Sequence, residues 1–317
     1  MLLLPFKRCF KRLIPAVILL LMLVPGCRDE EPPKKVRLHG AFPAVTNPVS
    51  VPAADSIKFS FDHRLSPKDD VRIYLPFLNY LSDQTGLAFS LRFTENYEDT
   101  ADNLGRGLVQ FAAMGPVNYI NAKRKYGAGC LVTGLNKDFK PEYRAVIFTK
   151  IDSPVNSLDE LRGKNFAFGD RYSTQGHIIP RKMLDDVGIT LQRLRGHVFT
   201  GSHVNTARAV LNGNYEAGAI QDTLARQLAS EGKIKILATS KPYPSSLICY
   251  VKTVEPSVLA AMKTALLKMD PAGIHRDLLG GWDRTEMPNG FQEFHEDSLA
   301  ELEDLVDRYL SNNTQKR

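Results

Sequence analysis

The sequence lacks the residue patterns that build metal centres and several common catalytic sites. The 317-residue chain has only four cysteines, and no Cys or His residues have the spacing of a zinc site. No G-x-S-x-G turn is present to expose a nucleophilic serine. No basic tract alternates with aromatic residues, which disfavours nucleic acid as a partner. We therefore expect neither a metal nor another cofactor, and a binding protein rather than an enzyme.

The formal net charge of +6 is concentrated at the N-terminus. Four of the basic residues, Lys7, Arg8, Lys11 and Arg12, lie in the first 27 residues, which contain no acid. Without this segment the charge is 6 − 4, or about +2. The remaining chain is nearly balanced in charge.

Residues 1–27 have the features of a bacterial lipoprotein signal peptide. The apolar run 13–24 follows the basic residues and is shorter than a comfortable membrane span. Val24-Pro25-Gly26-Cys27 looks like a lipobox, with Cys27 as the lipidated residue. An ordinary signal peptide with an incidental cysteine is the alternative. Residues 28–54, with scattered prolines and charges, are expected to form a flexible tether between the lipid anchor and the folded domain. The expected location is therefore the periplasm or cell envelope.

From Ser56 onward, short apolar strands alternate with amphipathic helices, which predicts an α/β architecture with mostly parallel sheets. The body is longer than one usual domain, so we expect two lobes. Lobe one would comprise 55–147 plus 247–317, and lobe two 148–246. Val146–Thr149 and Leu247–Val251 would be the strands that cross between the lobes and form a hinge.

The most informative stretch is Asn165-Phe-Ala-Phe-Gly-Asp-Arg-Tyr-Ser-Thr-Gln-Gly-His177. Its first four residues predict a buried strand, and a helix is predicted from Thr174 to about Val187. Ser173 and Thr174 therefore lie at a helix N-terminus, where free N–H groups and the helix dipole favour an anion. The alternative is that Ser173 simply caps the helix.

This stretch and its upstream neighbour resemble a known family. Residues 157–180 read SLDELRGKNFAFGDRYSTQGHIIP, which is similar to the pattern SLxDLxGKxFAFGDxxSTSGxxxP of PhnD-like periplasmic binding proteins of phosphate, phosphite and phosphonate ABC transporters. The resemblance implies a type-II periplasmic binding protein, with two α/β lobes joined by a two-strand hinge. It also implies a small oxyanion in the interlobe cleft and an ABC transporter permease as partner. The alternative is a ligand-sensing module for a membrane signalling receptor.

Within the resemblance, further residues are expected at the ligand. Tyr119 matches the tyrosine of a GPxSY element, and His203 matches the histidine of a GSH element. Gln175 replaces the second serine of STSG, and Glu216 replaces the aspartate of VDAGA. The alternative for Tyr119 is a core residue, for His203 a solvent-facing histidine, and for Glu216 a solvated acid.

Two other positions are candidates. Arg64, beside His63, follows the first predicted strand, where the resemblance implies that the ligand cleft begins with an aromatic or polar contact. Arg64 could hold an anion through two N–H groups, although a solvated loop arginine is the alternative. Asp222 lies just beyond the other end of the predicted strand that follows Glu216. No aspartate occurs near Ser245, where many aminophosphonate binders have one, so the sequence leaves open which oxyanion binds.

Cys130 and Cys249 are the cysteines that remain apart from the signal peptide and its cleavage site. They could pair in an oxidising periplasm, but their spacing does not decide it. Each lies in an apolar run, which favours two buried free thiols.

Overall fold

The structure, a computed structural model, describes residues 56–310. The predicted signal peptide, the tether and Cys27 lie outside the described residues, as do residues 311–317. Within 56–310, no helix is both long and apolar enough to cross a membrane.

Strands and helices alternate along the described chain, as the sequence predicts. The strands are β1 (Ile57–Phe61), β2 (Phe89–Leu91), β3 (Phe111–Met114), β4 (Gly129–Gly134), β5 (Glu142–Tyr143), β6 (Ala145–Lys150), β7 (Asn165–Phe168), β8 (Gly196–Phe199), β9 (Ala217–Gln221), β10 (Ile234–Thr239), β11 (Tyr243–Pro244), β12 (Leu247–Tyr250) and β13 (Phe291–Glu293). The helices are α1 (Pro67–Thr85), α2 (Tyr97–Gly105), α3 (Pro116–Tyr126), α4 (Ile179–Asp186), α5 (His203–Leu211), α6 (Asp222–Ser230), α7 (Pro256–Lys268) and α8 (Ala300–Tyr309).

The strands form two mixed sheets. The first sheet has the order β13-β4-β12-β3-β1-β2, with β1 parallel to both β2 and β3. The second sheet has the order β10-β6-β9-β7-β8, with β7 parallel to both β8 and β9. Because parallel strands end at the same edge, the loops after β1 and β3 share one edge, and those after β7, β8 and β9 share another.

The chain passes between the sheets twice, and the two passages pair with each other. The strands β5 and β11 form a separate antiparallel ladder, in which Tyr243 lies opposite Tyr143. The expected crossing strands are therefore displaced: β6 belongs wholly to the second sheet and β12 wholly to the first. The sequence pattern cannot distinguish a strand that crosses between the sheets from one that stays within a sheet, because both are apolar and buried.

The C-terminal helix α8 is amphipathic. Its apolar face and the residue before the helix are buried, with exposures of 5% or less: Leu299, Leu302, Leu305, Val306 and Tyr309. Ile178 and Ile179, at the start of α4, belong to the same apolar cluster. Helix α8 thus contacts α3 beside the first sheet and the start of α4 beside the second.

Candidate ligand-binding site

The central stretch folds as a strand, a tight turn and a helix. After β7, the Gly169 N–H donates to the carbonyl oxygen of Gly176 at 2.9 Å. Residues Thr174–Ile178 form a π-helical turn that continues into α4. A side chain at Gly176 would place its Cβ 2.9 Å from Ser173 Oγ and 3.1 Å from Gly169 Cα, so only glycine fits this close approach.

The hydroxyls of Ser173 and Thr174 are buried and accept backbone hydrogen bonds. Ser173 Oγ accepts from Gly176 N at 2.9 Å, which makes it a helix cap. Thr174 Oγ1 accepts from Val117 N, in the first turn of α3, at 3.0 Å. A hydroxyl that accepts a bond can still donate its own proton, and that of Thr174 is also within reach of the buried Tyr143 hydroxyl. Thr174 therefore joins the second sheet to the helix that follows β3 of the first.

Arg64, three residues beyond β1, is buried and only 7% exposed. Its Nη1 forms an ion pair with Glu286 and donates to Ser246 Oγ at 3.1 Å. Burial opposes its charge, but Glu286 and the neighbouring phenols and carboxyl raise its pKa above the ordinary value. Its Nε has no hydrogen-bond partner within residues 56–310. The alternative of a solvated loop arginine is wrong.

His203, the first residue of α5, is buried and 2% exposed, so the alternative of a solvent-facing histidine is also wrong. Burial, and to a lesser extent the charge of Arg64, lowers the pKa of His203 to about 3. The imidazole is therefore neutral at pH 7, and Arg64 lies near enough to affect it. Its Nδ1 finds no partner among the described residues.

Asp62, which follows β1, is a buried acid at the site that the sequence analysis did not propose. Its carboxylate accepts from Gly115 N at 2.8 Å and from Asn118 Nδ2 at 2.7 Å. Burial raises the pKa of Asp62 to about 7, although Arg64 opposes this shift. Asp62 thus holds the start of α3 in place.

Asp170, which follows β7, is the second acid that the sequence analysis missed. It accepts from Tyr172 N at 2.8 Å, and the backbone N–H of Tyr97, at the start of α2, lies near enough to favour its ionised form. Burial raises the pKa of Asp170 to about 6. One sequence feature could have identified both acids, namely an aspartate within two residues after the end of a buried strand.

Two predicted ligand residues lie elsewhere in the structure. Glu216 Oε2 accepts from Asn165 N at 3.0 Å, at the start of β7. Since β9 runs parallel to β7, Glu216 lies at the opposite end of the strands from Ser173. The hydroxyl of Tyr119 donates to Glu296 at 3.3 Å, and the Tyr119 ring packs against Phe294. Tyr119 is thus a core residue, which corrects the expectation of a ligand contact.

The other proposed polar residues already have protein partners. Gln175 is buried, and its Nε2 donates to the carbonyl oxygen of Arg144, between β5 and β6, at 3.1 Å. Asp222 Oδ2 is 2.8 Å from Arg226 Nη1. His63 contacts the carbonyl of Thr94, and the pKa of His63 is raised, chiefly by the carboxylate of Asp70, which lies 3.6 Å from His63 Nδ1.

A cavity of about 580 Å³ is lined by chain neighbours of Arg64 and His203, whereas Arg64, His203, Ser173 and Thr174 themselves do not line it. Its walls come from the segments after β1 and β2 and from the start of α5, and they include His63, Phe93, Thr94, Thr200, Ser202 and Arg208. This volume is typical of a small-molecule site. No group of three or more acidic, His or Cys residues within 56–310 is arranged to hold a metal.

The chain has two β-sheets with helices packed against them, and two crossing segments join the sheets. Buried polar groups lie at the facing loops. This arrangement defines a type-II periplasmic binding protein. A family described as "ABC transporter, phosphonate, periplasmic substrate-binding protein" matches residues 59–299. The chain belongs to this family, whose members are the substrate-binding components of ABC transporters in the periplasm.

Individual relatives are distant in sequence and similar in fold. The phosphate-import protein PhnD of Mycolicibacterium smegmatis is 23% identical over 278 residues, covering 81% of each chain. The structure of PhnD1 from Prochlorococcus marinus with methylphosphonate superposes with a TM-score of 0.73 at 15% identity, covering 80% of this chain and 98% of that one. A phosphonate-transporter binding protein from Pseudomonas aeruginosa gives a TM-score of 0.72 at 18% identity, covering 83% and 89%.

Proposed function

We propose that this protein captures a small phosphorus oxyanion, a phosphonate, phosphite or phosphate, between its two sheets and delivers it to an ABC importer. The observation that carries the proposal is that Arg64 Nε and His203 Nδ1, two of the buried nitrogens within 56–310 that lack a hydrogen-bond partner, lie close enough for the charge of Arg64 to lower the pKa of His203. A buried donor without a partner costs free energy. An oxyanion beside Ser173 and Thr174 would supply the missing acceptors, and the guanidinium would offset its charge.

The same residues support binding rather than catalysis. A serine hydrolase needs an acid on the nitrogen of its histidine that faces away from the serine. His203 Nδ1 has no such partner among the described residues, and Ser173 Oγ is held as a cap by Gly176 N. Ser173 and His203 therefore suit hydrogen bonding to a bound anion.

Opening and closing of the two sheets belongs to this proposal. The chain crosses between the sheets only through the short β5 and β11 segments within the described range. Bonds such as Thr174 Oγ1 to Val117 N join the two sides close to the proposed ligand. A ligand that adds contacts to both sides would favour the closed arrangement.

Binding should appear as stabilisation of the mature protein after bound phosphate is removed. We would add phosphate, phosphite, methylphosphonate, 2-aminoethylphosphonate or taurine and measure thermal unfolding. A ligand at ~100 times its dissociation constant should stabilise the protein by about 2.7 kcal/mol. Small-angle scattering of the same samples should show compaction. Stabilisation by taurine alone, or by none of the five, would contradict the proposed ligand class.

The lipid anchor is a further part of the proposal and is supported by the lipobox at Val24-Pro25-Gly26-Cys27. Cys27→Ser should leave the protein without lipid, because the thiol that would carry the lipid is absent. Mass spectrometry of the N-terminal peptide would identify the lipid on the unmodified protein. Cys9→Ser is the matched control, since Cys9 lies in the segment to be removed. Equal membrane association of all three proteins, without lipid at Cys27, would exclude the anchor.

A further inference from the structure

The two cysteines of the described chain lie directly opposite each other in the first sheet. Strands β12 and β4 are antiparallel, and Cys249 pairs with Cys130. The Cα atoms of opposite residues in such a pair are about 4.5–5.5 Å apart, and a disulfide needs about 4.4–6.8 Å. Both thiols are free in the structure. The spacing of paired residues in an antiparallel ladder thus falls within the range that a disulfide needs.

A bulge creates this pairing. Leu247 pairs with Thr133 and Ile248 with Val132, but the register then shifts, so that Cys249 pairs with Cys130. Leu131 is the extra residue. In an unshifted ladder Cys249 would face Leu131, because pairing proceeds one residue at a time on both strands.

The bulge also brings the two side chains to one side of the sheet. Leu131, Val132 and Ile248 pack in the apolar cluster around Phe59 and Trp282. Cys249 belongs to the other cluster, with Tyr119, and the half-buried Cys130 packs against that same cluster. The Cys130 thiol also contributes to the raised pKa of the Cys249 thiol, which agrees with their proximity.

We propose that Cys130 and Cys249 are an oxidation site that forms an intramolecular disulfide after the chain is exported. An external disulfide is the oxidant. The Cys130 thiolate attacks it and releases one thiol, and Cys249 sulfur then attacks Cys130 Sγ and releases the second. The two cysteines lose two protons and two electrons in total, and the oxidant's disulfide is reduced to two thiols.

The position of this bond gives it a structural role. Strand β4 precedes the first passage between the sheets, and β12 follows the second. The disulfide would therefore join the last strand of the first sheet before the first passage to the first strand of that sheet after the second passage. The proposed opening motion would then leave this part of the first sheet unchanged.

The order of addition follows from burial. Cys130 is half-buried and can meet an oxidant, whereas Cys249 is fully buried. Burial raises the pKa of the Cys249 thiol well above its ordinary value, and a protonated thiol is a poor nucleophile. The bond therefore forms faster in the newly exported, incompletely folded chain than in the reduced, folded protein.

The test is thiol mapping of the full chain expressed with export to the periplasm. The protein is alkylated under denaturing conditions without reduction, digested, and analysed by mass spectrometry. We expect a cross-linked peptide pair containing Cys130 and Cys249, with neither residue alkylated until a reductant is added. Full alkylation of both residues before reduction would overturn the proposal, as would cross-links from Cys130 to a second chain.

A kinetic comparison and a matched variant complete the design. Oxidised glutathione should form the disulfide at least tenfold faster in reduced protein that is unfolded in urea than in reduced protein that is folded. Both rates are normalised to the number of exposed thiols. Cys130→Ser should give one alkylatable thiol, at Cys249, and a denaturation midpoint that dithiothreitol does not change. The midpoint of the exported wild type should fall on reduction. A wild-type midpoint that is insensitive to reduction, together with two free thiols, would refute the site.

Discussion

Glu286→Ala is expected to lower the free energy of unfolding by about 3–5 kcal/mol, because it leaves the charge of Arg64 buried without its partner. Arg64 and Glu286 have side-chain exposures of only 8% and 3%. Ser246, the other contact of Arg64 Nη1, is neutral and cannot replace the carboxylate. Urea denaturation of the ligand-free protein would give this value.

The controls for this prediction come from the same part of the chain. Arg284 pairs with Asp69 at 3.3 Å, but both side chains are substantially exposed. Arg284→Ala should therefore change stability by no more than about 1 kcal/mol. Combining Arg64→Met with Glu286→Leu should cost less than Glu286→Ala alone, because neither member of the ion pair is left buried without its partner. If Glu286→Ala and Arg284→Ala prove equally mild, Arg64 is solvated and the buried-pair argument fails.

Thr174→Ala and His203→Ala are each expected to weaken binding of the best ligand by roughly 10- to 150-fold. Each removes one hydrogen bond to a charged group, which contributes about 1.5–3 kcal/mol. Isothermal titration calorimetry gives the affinity, and urea denaturation without ligand gives the stability. Thr174→Ala should also destabilise the fold, because Val117 N loses its acceptor.

His177→Ala is the matched control. His177 is 1% exposed, and burial lowers its pKa to about 3, as for His203. Its ring packs edge-on against Phe168 and Phe199, and its Nε2, like His203 Nδ1, has no partner among the described residues. The groups that affect its charge are Arg171, Arg181 and His197 rather than Arg64. This variant should lose stability and retain affinity.

Ser173→Ala separates the two roles considered for this residue. The cap to Gly176 N predicts a loss of about 1 kcal/mol of folding stability. A direct bond to the ligand predicts a loss of affinity in addition. If Ser173→Ala, Thr174→Ala and His203→Ala all bind normally and only unfold earlier, the oxyanion site lies elsewhere.

Local patterns were sufficient for the elements around the candidate site. The apolar run 165–168 and the glycines around it predict a strand, a turn and a helix, and the structure has all three. The GSH segment predicts a helix starting at His203, and α5 begins there. These predictions succeed because strand periodicity, helix caps and glycine requirements depend on neighbouring residues.

Which side chains meet depends on how the elements pack, and here the sequence was a poorer guide. Tyr119 lies in the predicted helix, but the rotation of α3 directs Asn118 and Val117 N to the site and the Tyr119 hydroxyl to Glu296. Glu216 adjoins a predicted strand, yet the parallel direction of β9 places it at the far end. Helix rotation and strand direction are set by long-range packing, which spacing along the chain does not encode.

By itself, the sequence determined the α/β class, the helix N-terminus at Ser173 and the family, because each follows from short continuous patterns. Only the tertiary structure decided that Arg64 meets Glu286, 222 residues away, and that Asp62 holds Gly115 N. It also decided that a one-residue bulge at Leu131 sets Cys130 against Cys249. These contacts depend on sheet order and register, which arise when segments distant along the chain bury their apolar faces together.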